Sequence, residues 1–194
     1  IPLYRGILGL RLLLVRKEDH EKISRIKTIQ EFRHYTGGHG LHWQDLPIYF
    51  ENELPVHANV KYEALFEQLK RKRFDYFHRG INEVWEEYER HKDSLSIADN
   101  IMLFYPHPIY FYVSPNRPLL AEDLKNGLLE SLDDGSFRKL FIKFHGDKIN
   151  KAQLNKRNVI KLRTPEFVNE TPILQDDWWL PKTLMDIKKT DYTD

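Results

Sequence analysis

The 194-residue chain contains no cysteine. That absence excludes thiol catalysis, cysteine-based zinc sites and disulfide staples. It suits the cell envelope as well as the cytosol. An excess of one charge sign is also lacking. With 30 lysines and arginines against 29 aspartates and glutamates, nothing points to nucleic acid or an anionic membrane as partner. The one local basic run, Lys70-Arg71-Lys72-Arg73, ends a helical pattern, where cations complement the helix C-terminus. Long uncharged apolar runs are missing too. "IPLYRGILGLRLLLV" is broken by Arg5 and Arg11, is short for a span and has no small-residue cleavage site after it. It reads as protein strand, and a chain opening mid-strand reads as part of a longer one. Catalytic constellations are absent: no Ser/His/Asp set and no carboxylate pair for acid–base work stands out. His39 and His42, with His34 nearby, lack the further ligands a metal site needs. A non-enzymatic protein without metal or cofactor is expected.

Aromatics, by contrast, are plentiful, with 11 Phe, 10 Tyr and 4 Trp, enough for a real core. "LRLLLVRKED" is a continuous apolar run ending in charge, as in a buried strand. "SRIKTIQEFRHY" predicts a short helix with Ile26, Ile29 and Phe32 inward. "RHYTGGHG" is an extended piece breaking into glycines, and "LHWQDLPIYFENEL" predicts a helix despite Pro47. "PVHANV" reads as strand and "KYEALFEQLKRKR" as an amphipathic helix with Leu65, Phe66 and Leu69 inward. "FDYF" reads as strand, followed by the helix "INEVWEEYERHK". Two extended runs come next, "LSIADNIMLFYP" and "PIYFYVSP". Alternation of strand and helix over Leu10 to Lys92 implies a parallel sheet with right-handed crossovers. Two further helices meet at Asp133-Asp134-Gly135-Ser136, with Gly135 as stop and Ser136 as cap. "RNVIKLRTP" is a strand-like return, and "DDWWLPKTLMDIKKTDYTD" a polar tail with an aromatic anchor.

Ligands of open sheets sit beyond the carboxyl ends of the strands. The loops "TGGHGLHW" and "FHRGINE" both fall there and should face one cleft. In the first, Gly37, Gly38 and Gly40 precede a helix start whose free N–H groups attract anions. The spacing matches neither a Walker loop nor a dinucleotide fingerprint. In the second, Arg79 either forks onto a carboxylate or phosphate ligand or pairs with Glu83, four residues on.

The order of these segments resembles the type II periplasmic solute-binding proteins, in the family 3 class associated with amino-acid ABC transporters. "RFDYFHRGINEVWEE" and "LFYPHPIYFYVSPNRPLLAEDLKNGLLESLDDGSFRKLF" carry the resemblance. Phe74-Asp75-Tyr76 fits the family's aspartate-containing strand, Pro108 to Val113 its return hinge strand, and Gly127 to Phe141 its "DGSF" helix pair. "YRGILGLRLLLVRKED" resembles the outgoing hinge strand and "IKTIQEF" the helix opening the second lobe. "IPLYRGILGLR" and "YPHPIYFYVSP" are similar to a narrower branch of transporter substrate-binding domain proteins.

The resemblance spans residue 1 to about Leu180 and implies a two-lobed α/β fold. The second lobe would be residues 9–110. Residues 1–8 and 111–194 would form an incomplete first lobe with the tail. The implied function is extracytoplasmic capture of a small solute by hinge closure, without catalysis, as a monomer working with an ABC transporter permease behind an upstream signal peptide. At the family's ammonium-binding aspartate this chain has Gly80, preceded by Arg79, which favours a polar or anionic solute. The family's carboxylate-binding arginine would lie upstream of Ile1. The implied ligand contacts are His39, Gly40, His42, Trp43, Arg79 and Asn82, with Tyr4, Arg5 and Tyr105 near the hinge. A sensory input domain and, less favoured, a dehydratase use the same fold and stay open as alternatives.

Overall fold

The computed structural model describes residues 1–164. The aromatic-anchored tail lies outside the described residues. No described helix is long and apolar enough to cross a membrane.

The central strand is β1 (Leu10–Arg16), and every residue in it is buried. Its side chains alternate between two cores, as the period of a strand requires. Leu10, Leu12 and Leu14 join Leu65, Phe66, Leu69, Phe77 and Val84 on one face. Leu13 and Val15 join Phe32, Ile48, Tyr49 and Tyr76 on the other. The run reads as continuously apolar because both faces are covered. α1 (His20–Ser24) and α2 (Ile29–Phe32) follow, the second capped by Thr28 accepting from the Glu31 N–H. Next come β2 (Gly37–Gly40), α3 (Leu46–Glu51), β3 (Val56–Asn59), α4 (Tyr62–Lys70), β4 (Tyr76–Gly80) and α5 (Val84–His91). Pro47 sits in the first turn of α3, where its missing N–H costs nothing.

β5 (Leu95–Ile97) and β6 (Ile101–Phe104) both lie along β1. They are one extended run interrupted at residues 98–100, where Asn100 takes φ 57°. α6 (Pro118–Asp133) and α7 (Ser136–Ala152) form the helix pair, and β7 (Asn158–Lys161) closes the described chain. Gly135, at φ 76°, is the N-cap residue of α7. Ser136 is therefore already inside the helix and does not cap it; instead Asp134 Oδ1 accepts from the Ser136 N–H at 2.7 Å.

The sheet order is β3-β2-β4-β1-β6-β7. β2, β3 and β4 pair parallel, as do β6 and β7, but β1 runs antiparallel to β4, β5 and β6. The expected all-parallel sheet is thus a mixed one. The chain enters β1 from the end of the sheet at which β4 and β6 finish, so its first strand has to oppose them. β7 extends this same sheet, so residues beyond 110 contribute a strand beside β6.

Two further expectations change. The strand at "FDYF" is shifted: β4 runs Tyr76–Gly80, so His78, Arg79 and Gly80 are not a joint but its second half, opposite Leu13, Leu12 and Arg11. Asp75, ahead of it, is anchored by accepting from the Thr36 N–H at 2.9 Å. The return strand over Pro108 to Val113 does not form; residues 105–117 hold no helix or strand. Pro106 and Pro108 have no N–H to give a ladder. A backbone bond from the Leu3 N–H to the Ile109 carbonyl, at 2.9 Å, ties this segment to the chain's start.

Candidate functional site

The carboxyl ends of β2, β4 and β6 and the amino end of β1 come together at one edge of the sheet, with Arg11 opposite Gly80 and Leu10 opposite Phe104. The chain crosses this edge twice, entering at Gly9 and leaving at Tyr105. The crossings touch: the Tyr105 N–H donates to the Gly9 carbonyl at 3.2 Å. A Cβ on Gly9 would lie 1.9 Å from the Tyr105 carbonyl oxygen, so only glycine permits this approach.

A buried polar cluster fills one face of this edge. Arg11 is 4 % exposed and Asp45, on the loop before α3, also 4 %. Asp45 Oδ2 accepts from Arg11 Nη2 at 2.7 Å and from the Tyr105 hydroxyl at 2.7 Å. Its Oδ1 lies 3.3 Å from His39 Nε2, a contact without full hydrogen-bond alignment. His39 Nδ1 is 2.9 Å from the Gly40 carbonyl. Burial alone would raise the Asp45 carboxyl, but contact with His39 and the Arg11 charge outweigh it and hold the group far below the carboxylate range. Burial opposes the Arg11 charge, yet Tyr105, Asp45 and Glu83 keep the guanidinium protonated. Burial pushes the Tyr49 and Tyr105 phenols up, so both stay neutral. His78 stacks against Tyr49 at 4.7 Å and His39 at 4.9 Å. Burial, then the neighbouring His39 and Arg11, push its pKa well below 6.5.

Arg79 organises the opposite face. Its Nε donates to both oxygens of Glu87 at 2.9 and 2.8 Å. Its Nη2 lies 2.8 Å from Glu87 Oε1 and 3.0 Å from Glu83 Oε2. The guanidinium also rests 4.8 Å from the Trp43 ring centre and 5.3 Å from those of Tyr62 and Phe77. The Tyr62 hydroxyl completes the group, donating to Glu87 Oε1 at 2.5 Å. Beyond β4, Asn82 Oδ1 and Glu83 Oε2 lie over the bare Cα of Gly80; Asn82 Oδ1 is buried without a hydrogen-bond partner, and Glu83 Oε2 is held by its ion pair with Arg79.

The fold therefore gathers His39, Gly40, Trp43, Arg79, Asn82 and Tyr105 at this edge. The Trp43 ring packs so closely on Gly40 that a Cβ there would be 2.4 Å from it. Arg79 is not presented to a ligand; it follows the ion-pair reading, with Glu87 as its principal partner. Tyr4 and Arg5 are placed against α7, on His145 at 5.4 Å and over Phe141 at 5.4 Å. His42 is exposed and joins neither group. Sequence reasoning named Glu83 as a partner for Arg79 but missed Arg11, Asp45, Tyr49, His78, Tyr62 and the buried Glu87. One signal was available: an arginine inside "LRLLLV" requires a buried acid. Among the described residues, no group of three or more histidine, aspartate or glutamate side chains could hold a metal ion. At the far end of the sheet, an open groove of about 580 Å³, bordered by Arg25, Lys27, Asn100, Lys156 and Asn158, includes none of the candidate residues.

No family model and no curated protein matches the chain. Solved structures do. An ancestral arginine-binding protein bound to glutamine is 17% identical, with a TM-score of 0.55 over 75% of this chain and 62% of its own. An amino acid ABC transporter substrate-binding protein from Streptococcus pneumoniae, bound to L-arginine, is 16% identical, with a TM-score of 0.52 over 75% and 59%. A mutant of ArgBP from T. maritima is 20% identical, with a TM-score of 0.50 over 70% and 57%. The chain thus spans less than two thirds of each of these proteins. Over the part it covers, the chain shares the α/β fold of these proteins, the periplasmic binding protein-like II fold.

Proposed function

We propose that the chain is part of an extracytoplasmic solute-binding protein that captures a small polar solute by closing two lobes about a hinge and presents it to an ABC transporter permease. The observation that carries this reading is the edge where β2, β4 and β6 end. There the chain crosses twice, and one buried acceptor, Asn82 Oδ1, has no hydrogen-bond partner, while the neighbouring Glu83 Oε2 is ion-paired with Arg79. A solute bridging the lobes favours the closed state by its differential affinity. The lobe division at residues 9–110, with β7 added to its sheet, belongs to the same proposal, as do the extracytoplasmic location and a monomeric state.

The charge at the edge refines the ligand class. Two arginines, Arg11 and Arg79, face three carboxylates, Asp45, Glu83 and Glu87. Arg79 is already neutralised, so it no longer argues for an anionic solute. The unused acceptor on Asn82 beside Gly80 suits a solute that brings a hydrogen-bond donor. Thermal-shift and calorimetric titration of the 194-residue protein with L-arginine, L-glutamine and L-glutamate tests this. A ligand at 100 times its Kd adds about 2.7 kcal/mol of stability. Asn82→Ala should weaken binding of the responding solute about tenfold, the worth of one hydrogen bond. Stabilisation by none of these, or by a wider set of small solutes, would sink the reading.

A further inference from the structure

We propose that Asp45 is a positioning residue that fastens the loop bearing Trp43, and the β2 end at His39, to both chain crossings, so that loop and hinge move as one unit. Three segments far apart in sequence meet on this one carboxylate. Arg11 belongs to the strand that carries the chain in, and Tyr105 is the first residue of the segment that carries it out. Both donate to the same oxygen, Oδ2, at 2.7 Å each. His39, at the end of β2, faces the other oxygen at 3.3 Å. Asp45 is itself on the loop it fastens: the Trp43 N–H donates to the Gly40 carbonyl at 3.1 Å, the Leu46 N–H to the Trp43 carbonyl at 3.2 Å and the Ile48 N–H to the Asp45 carbonyl at 3.1 Å.

The fastening is buried, so water does not compete for it. Arg11, Asp45 and Tyr105 are 4 %, 4 % and 0 % exposed, and the Tyr105 ring also lies 5.3 Å from the Arg11 guanidinium carbon. Beside it, backbone bonds join the two segments at Gly9–Tyr105 and Leu3–Ile109. A displacement of the loop that pulls Asp45 therefore pulls Arg11 and Tyr105 with it. The reverse holds by reciprocity, since coupling between two sites is symmetric. The functional meaning, a solute at Trp43 felt at the hinge, rests on the solute-binding reading. The coupling itself does not.

Native-state hydrogen exchange of the 194-residue protein, measured without any solute, tests the coupling alone. Tyr105→Phe removes one hydrogen bond and keeps the ring over Arg11. The expected result is about a tenfold loss of protection at the Tyr105 amide and, together with it, at the Trp43 and Leu46 amides. Amides of the β1–β4 ladder should keep their protection. Asp45→Asn should loosen the same two regions further. Loosening of the crossing with an unchanged loop would overturn the proposal. So would an equal loss at every amide, ladder included, which is the signature of a merely structural role. If Asp45→Asn fails to fold, Tyr105→Phe decides by itself. Failure of the titrations above with success here would leave a coupled hinge whose solute reading is wrong.

Discussion

An arginine with its guanidinium inside a protein persists only where opposite charge and hydrogen bonds replace water. Arg79 has both, with its side chain at 9 % exposure and that of Glu87 at 5 %. Burial on its own would lower the Arg79 pKa, but the bonds from Glu87 and the charges of Glu87 and Glu83 raise it, so the cation is permanent. Arg79→Ala should therefore cost about 3–5 kcal/mol, chiefly because Glu87 is left buried without its partner. Arg79→Lys should recover only part of that, since an ammonium cannot fork onto a carboxylate while lying flat against Trp43. Urea unfolding of both variants, with Arg79→Ala/Glu87→Ala closing a double-mutant cycle, measures the coupling. A single-mutant cost below about 1 kcal/mol would place the pair with ordinary surface ion pairs.

Among the elements, the reversed strand β1 sets the geometry of the candidate site, and Gly9 sets where it starts. Gly9→Ala forces a Cβ toward a carbonyl oxygen that the backbone cannot easily withdraw. A loss of about 1–3 kcal/mol is expected, typical of overpacking. Denaturant melts would show it; a neutral substitution would mean that the crossings are loose. The elements that were legible in the sequence share a clear period: α4 and α5 have amphipathic faces, and β1 is apolar between charged flanks. β4 was misplaced because both its faces are covered, so Tyr76 to Gly80 show no alternation, and polar His78 and Arg79 resemble a turn. The expected return strand failed on Pro106 and Pro108, whose effect on pairing outweighed the aromatic run. For the candidate site, position at strand ends was enough to expect His39, Trp43 and Tyr105 at one edge of the sheet. It could not pick Asp45, whose partners Arg11 and Tyr105 lie 34 and 60 residues away in sequence. Nothing local distinguishes that aspartate from a helix-start residue.

For the molecule as a whole, the buried polar edge makes stability depend on pH in two stages. His78 is buried with both ring nitrogens unbonded. The groups around it are His39, Arg11 and Arg79, which oppose its protonation, and Asp45, which favours it but does not prevail. Its pKa is therefore ordinary, near 6.5, when unfolded and well below that when folded. The unfolded state takes up the proton first, so stability is full above about pH 6.5 and falls as the pH drops through that value. His91, His107 and His145 are shifted in the same direction by burial and add to this stage. Asp45 acts lower: its folded pKa is depressed, so its contribution is present above its unfolded value of 3.8 and is lost below it. The first stage is the one a single substitution can isolate. His78→Phe keeps an aromatic ring against Tyr49 and His39 but cannot bind a proton. Unfolding free energies from urea melts between pH 7.5 and 5 should fall less steeply in this variant, by about 1.36 kcal/mol per pH unit, the worth of one proton. Parallel pH profiles for the two proteins would show that His78 is protonated in the fold after all, and that the interior of this edge tolerates a third cation beside Arg11 and Arg79.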